Sequence, residues 1–332
     1  MEHTTQSPRP RRAAFAAAIP LLVILGGVLA VQTRFNGELG RELDDGFLAA
    51  ALIFSVGFVL ASLGLLASHK ARQGFKRVYG DVRAGRLPWW ALLGGAVGSV
   101  FVLGQGLVAS VVGTAVFSIA AIAGQTLGGL LVDRLGIGTG GKRPMDRGRI
   151  LGSLLALGAV AWSVSSDIGG DFPMAALILP IVGGLCLGWQ QAVNGRVRLA
   201  AESALTATVI NFFSGAIVTI LVAAVHITAV GHFPALPGQW WLYVGGMTAV
   251  LFIAATSVLV RKTGVLLLGI GTTAGQLLVS LLLDTVFPQS GRTVGWTTVA
   301  GTLLAVVAVL VVSLSGANGA PAVKPRSRPA AD

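Results

Sequence analysis

The sequence predicts an all-α integral membrane protein, with ten transmembrane helices arranged as two inverted-topology five-helix repeats. Three observations predict it. The 332-residue chain is 54% hydrophobic and only 11% charged, where a soluble domain carries about 25% charge; its mean hydropathy is +0.80. Apolar runs near 20 residues recur from end to end, each able to cross a hydrocarbon layer of roughly 30 Å, and they lack the strict alternation of barrel strands. Finally, short phrases recur in the same order in both halves, the mark of a duplicated unit.

Taken in order, a basic tail, 1–12, precedes the first repeat, 13–166, whose apolar runs are 13–32, 46–68, 88–110, 112–133 and 148–166. A connector, 167–173, leads to the second repeat, 174–315, with runs at 174–195, 204–229, 240–260, 263–284 and 295–315, and a tail, 316–332, closes the chain. The Arg-Pro-Arg-Arg stretch before the first run looks like a signal peptide, but the run is long for one and its end belongs to the repeat. The 46 glycines suit close helix contact in lipid.

Orientation follows from charge. With the N-terminus inside and alternation at each run, only Arg34, Arg41 and Arg292 of the 24 Lys and Arg fall outside. By the positive-inside rule both termini are then cytoplasmic, in a cytoplasmic (plasma) membrane.

The repeat is legible position by position. Gln32, Asn36 and Gly37 match Gln190, Asn194 and Gly195 at an offset of 158, as Phe54 and Gly57 match Phe212 and Gly215. Trp89-Trp90 with Gly94-Gly95 matches Trp240-Trp241 with Gly245-Gly246 at an offset of 151. The same offset relates Gly124-Gln125 through Asp133 to Gly275-Gln276 through Asp284, a shared G-Q-x-L-x-x-L-L-x-D phrase. The offset changes where the long basic loop 69–87 is replaced by the short loop 230–239. Five runs per unit is an odd number, so the second copy enters the membrane from the opposite side, as in many secondary transporters.

These elements resemble the YdcZ-type branch of the drug/metabolite transporter (DMT) superfamily over roughly 15–315. The most specific part is the Gly-Gln…Asp phrase with Gly136 and Lys142-Arg143-Pro144 behind it. The resemblance implies a ten-helix exporter-like fold with a central cavity between the halves.

Polar groups within the runs are the candidate site. Gln32 and Asn36 share a helix face, as do Gln190 and Asn194. Gln125 and Gln276 lie eight residues before Asp133 and Asp284, about 12 Å along a helix, which puts each Gln inside the bilayer and each Asp near a boundary. Gln105 and Asn211 are further intramembrane amides. All eight amides are candidate substrate-binding residues; Asp133 and Asp284 are candidates for coupling or for marking helix ends. Two roles stay open for the amides: lining a polar cavity, or joining helices. The Trp pairs suit the membrane interface. Arg34 suits either an anion at the outer mouth or a snorkelling side chain.

The absences narrow the function. No Asp or Glu lies deep in a run, which disfavours proton-driven export of cationic drugs. The four His form no metal-ligand spacing, there is no Walker A loop, and no nucleophile motif or deep aspartate pair appears, so no metal, cofactor or catalytic residue is expected. The net charge of +11 sits in loops without stacking aromatics, which argues against nucleic acid. Cys186 has no second cysteine to pair with. The expected partners are a small-molecule solute and the lipid bilayer, with monomer and homodimer both open. The reading is a secondary transporter or facilitator of a small polar or amphipathic metabolite by alternating access; the alternative is a non-transporting membrane protein, an assembly partner or receptor.

Overall fold

The computed structural model describes residues 9–139, 141–142, 147–167, 173–288 and 294–318. The expected tails, the connector 167–173 and the Lys142-Arg143-Pro144 stretch lie wholly or partly outside them. Every regular element among the described residues is helical, the arrangement that lets a backbone in lipid satisfy its own hydrogen bonds.

The chain opens with α1 (Arg9–Leu43), which starts inside the stretch expected as a tail, and α2 (Gly46–Ala67). Asp45 starts α2: its carboxylate accepts from the N–H groups of Phe47 and Leu48, both at 2.9 Å, filling the open helix end. Ser68 then caps the next helix by accepting from Ala71 N at 3.3 Å. This corrects one expectation. The basic loop 69–87 contains a helix, α3 (His69–Arg83), which buries Ala71, Gly74 and Val78 on one face and exposes most of its basic side chains.

A 3-10 turn at Trp89–Leu93 leads into α4 (Gly94–Gly104), a π turn at Gln105–Ala109 and the short α5 (Ser110–Val112). Gly113, with φ of 88°, breaks the chain before α6 (Thr114–Leu135). Then follow α7 (Arg147–Ser163), α8 (Ile178–Ala201), α9 (Ala204–Val230), α10 (Gly245–Val286) and α11 (Trp296–Asn318). Ser203 caps α9 through Thr206 N at 3.2 Å.

Among the described residues, seven helical stretches are long and apolar enough to cross a membrane: Pro20–Leu43, Gly46–Ala67, Trp89–Val112, Thr114–Leu135, Met174–Ala201, Ala204–Val230 and Leu268–Val286. Ile150–Ser163, Trp240–Phe252 and Trp296–Val312 are apolar but shorter. Large aliphatic side chains such as Ile24, Leu63, Leu154, Leu221, Val225 and Leu303 point outward. Buried Gln, Asn, Ser and Thr lie inside. That inversion of the soluble pattern suits lipid.

The expected break at Arg261-Lys262 is not a helix end, for α10 is one element of 42 residues. Unbent, it would be about 63 Å long. Yet both its ends meet neighbouring turns of α1. Gly245 faces the Asn36 side chain, and Arg34 donates to Phe287 O, one residue past the other end, at 2.6 Å. The path of α10 therefore reverses between Phe252 and Leu268.

Packing between the halves is reciprocal. A Cβ on Gly26 would collide with the backbone of Thr272 and Gln276; one on Gly184 would collide with Ala121 and Gln125, the equivalent residues. Likewise Gly57 meets Phe212 while Gly215 meets Phe54, and Gly245 meets Asn36 while Gly94 meets Asn194. The register shows direction too. Gly26 lies by Thr272 and Arg34 by Leu283, so α1 runs parallel to the second arm of α10. Gly124 lies by Ile181 and Gly128 by Leu185, so α6 runs parallel to α8.

Candidate functional site

Where the two halves meet, the helices leave a cavity of about 290 Å³. Its polar lining begins on α1 with Gln32 and Thr33, takes Gln105 from the π turn and Gln125 from α6, and continues with Gln190, Gln191 and Asn194 on α8. Asn211 on α9 and Thr272, Thr273 and Gln276 on α10 complete it. Phe54, Phe101, Phe212 and Phe252 form the apolar wall, and no charged side chain lines it among the described residues.

Seven of the eight candidate amides therefore border one space; Asn36 stands one bond behind it. Asn36 is fully buried and donates from Nδ2 to Gln105 Oε1 at 2.8 Å. Gln105 in turn donates from Nε2 to Thr33 Oγ1 at 2.9 Å, and Thr33 donates to Leu29 O at 2.9 Å. The π turn makes this possible. A wider turn rotates the side chains that follow it and is a common device at functional positions; here it begins at Gln105, which is 1% exposed against α1.

The second half is wired differently. Gln190 Nε2 and Asn194 Nδ2 both donate to Asn211 Oδ1, at 2.8 and 2.9 Å. In the second half both members of the Q-x3-N pair thus take their partner from α9, whereas in the first Asn36 takes its partner from the π turn. At the equivalent of Asn211 the first half has Ile53, and there Asn36 turns to Gln105.

Exposure is also unequal. At the α1 end Thr33, Asn36 and Gln105 are at most 1% exposed. At the α8 end Asn194 is half-buried and Gln191 exposed. The α8 end of the cavity lining is thus the more exposed one. Gln125 and Thr273 also border a smaller space of about 230 Å³ lined by α6, α7, α10 and α11.

The two aspartates lie away from the cavity lining. Asp284 is 8% exposed. Its Oδ2 accepts from Ala115 N at 2.7 Å, capping α6 from a position 169 residues away. Arg34 Nη1 stands 3.6 Å from Asp284 Oδ1, while the same guanidinium donates to Leu283 O at 3.5 Å and Phe287 O at 2.6 Å. Arg34 is thus a joint between α1 and the end of α10. Asp133 sits in the last turn of α6.

Sequence reasoning missed Thr33, Gln191 and the phenylalanine wall. The first two had a signal: they are equivalent to each other at the offset of 158, directly after Gln32 and Gln190.

Two segments, residues 17–162 and 175–311, match the family described as "Putative inner membrane exporter, YdcZ". The chain belongs to this family. The matched segments cover most of the chain and fall one in each half. Family membership makes this a membrane transporter, and the apolar helices agree with it. No curated protein matches the YdcZ-family chain.

Proposed function

We propose that the protein is a secondary exporter or facilitator of a small, uncharged or zwitterionic metabolite, working by alternating access between two inverted five-helix halves. The observation that carries the reading is the cavity at the junction of the halves, walled by amides and phenylalanines from both and free of ionised side chains among the described residues. Its volume of about 290 Å³ sits at the lower end of small-molecule sites, and a neutral lining offers no counter-charge to a multivalent ion.

Several features support two inverted halves. The seven long and three shorter apolar stretches fall on the ten runs of the sequence. The glycine contacts are reciprocal. The first helix of one half runs parallel to the fourth helix of the other, on both sides of the exchange. With the termini inside, the more exposed α8 end is the cytoplasmic one. Asn36 packs against Gly245 toward the outer face and Asn194 against Gly94 toward the inner one, and both contacts are made here.

The test is flux in reconstituted vesicles across a panel of neutral and zwitterionic metabolites. At least one solute should move, and its flux should not follow an imposed membrane potential. Asn194→Ala and Gln276→Ala should each cut that flux about 3- to 10-fold, the effect of losing one hydrogen bond to solute. If both variants insert normally and transport at the wild-type rate, the cavity is not the solute's path.

A further inference from the structure

We infer that the groove where α8 turns into α9 binds the phosphate of an anionic phospholipid headgroup from the cytoplasmic leaflet. The groove has a volume of about 420 Å³ and is lined by Lys70, Arg198, Leu199, Glu202, Ser203 and Leu205, among others. Lys70 and Arg198 are exposed, and neither has an ion-pair partner among the described residues. The carboxylate on the same wall, Glu202, is already engaged by Arg77 at 3.0 Å, so the wall keeps its positive excess.

The backbone adds to that charge. Thr206 Oγ1 donates to Ala71 O at 2.7 Å, tying the first turn of α9 to the first turn of α3. Two helix N-termini meet there, and each carries partial positive charge and unpaired N–H groups. Neither helix has an acidic residue in its first turn. The equivalent turn of the other half differs: Asp45 fills the start of α2 with its own carboxylate. Here the cap is the neutral Ser203, which satisfies Thr206 N, and the carboxylate next to it, Glu202, is the one paired with Arg77.

The surroundings favour a lipid over free phosphate as the source. Leu199, on the groove wall, and nearby Leu66 are both 66% exposed, a surface for acyl chains that a soluble anion would not use. The groove lies on the side where the basic loops gather, the side that faces anionic lipid in the positive-inside orientation. This inference does not depend on the transport reading.

The experiment uses the full chain, purified and delipidated, with binding of phosphatidylglycerol measured against phosphatidylcholine in vesicles and by retention in detergent. Wild type should prefer phosphatidylglycerol. Lys70→Gln/Arg198→Gln should weaken that preference about 10- to 30-fold, the loss of two cations at an anionic surface. Lys76→Gln/Arg83→Gln removes the same charge from the rest of α3 and should weaken it less than about 3-fold. Arg198→Gln alone, at an exposed position, serves if the double variant does not fold. Undiminished preference in the groove variants overturns the site. Equal loss in the control pair assigns the effect to diffuse charge and also overturns it. Displacement of lipid by millimolar inorganic phosphate makes free phosphate the ligand and overturns the lipid assignment.

Discussion

Gln105 offers the sharpest test of how the cavity is held shut at its α1 end. The side chain is 1% exposed and makes two buried hydrogen bonds, accepting from Asn36 and donating to Thr33. Gln105→Leu keeps the volume and removes both. Intramembrane side-chain hydrogen bonds are worth about 0.6 kcal/mol on average and up to ~1.7 kcal/mol each, so the loss should be about 1–3 kcal/mol. The Asn36 amide, which has no protein partner for its Oδ1, would be left with no bond at all. Its own substitution should therefore cost less in the variant, and Asn36→Ala and Gln105→Leu should couple by about 0.5–1.5 kcal/mol in a double-mutant cycle. The assay is unfolding by dodecyl sulfate in mixed micelles, followed by tryptophan fluorescence. A Gln105→Leu protein within about 0.3 kcal/mol of wild type would refute the reasoning, and so would strict additivity with Asn36→Ala.

Two further outcomes follow from the packing. Asp284→Ala removes both the cap on Ala115 and the Arg34 partner, so by the same assay it should cost about 3 kcal/mol or more, and more than Arg34→Gln, which leaves the cap in place. Gly26→Ala and Gly184→Ala drive a methyl into backbone atoms that cannot move aside, and both should reduce folded protein sharply, as read by size-exclusion yield after detergent extraction. Gly129→Ala, where a Cβ meets nothing within 4 Å, should be neutral or stabilise by up to ~1 kcal/mol through helix propensity.

The membrane class and the duplication were legible because each rests on many residues: hydropathy sums over whole runs, and the repeat over matches in fixed order. The candidate amides were legible for a related reason, since a polar side chain in an apolar run needs partners and so stands out. Which partner each one takes was not legible. Asn36 finds Gln105 across 69 residues through a π turn, a backbone feature without a composition signal. Asp284 read as a helix-end carboxylate, but the end it caps belongs to a helix in the other half. Helix α3 was obscured by its charge, although Ala71, Gly74 and Val78 already mark an apolar stripe at helical spacing. Arg261-Lys262 suggested a boundary between two runs, and α10 is continuous through it while its two ends return to the same stretch of α1.

Among the described residues, the non-glycine residues with positive φ are Asp44 and Glu202, both at 50°. They stand 158 positions apart, the offset of the repeat. A left-handed residue with a Cβ costs roughly 1–2 kcal/mol relative to the usual helical region, so chance does not readily place two at equivalent turns. The turn is an heirloom. Its backbone has outlasted the divergence of its side chains, which on one side became an acidic self-cap and on the other a basic groove. Form and chemistry are thus separable at this corner: Asp45→Ser should keep the turn, since Ser203 caps the equivalent helix, while removing the negative charge from the start of α2.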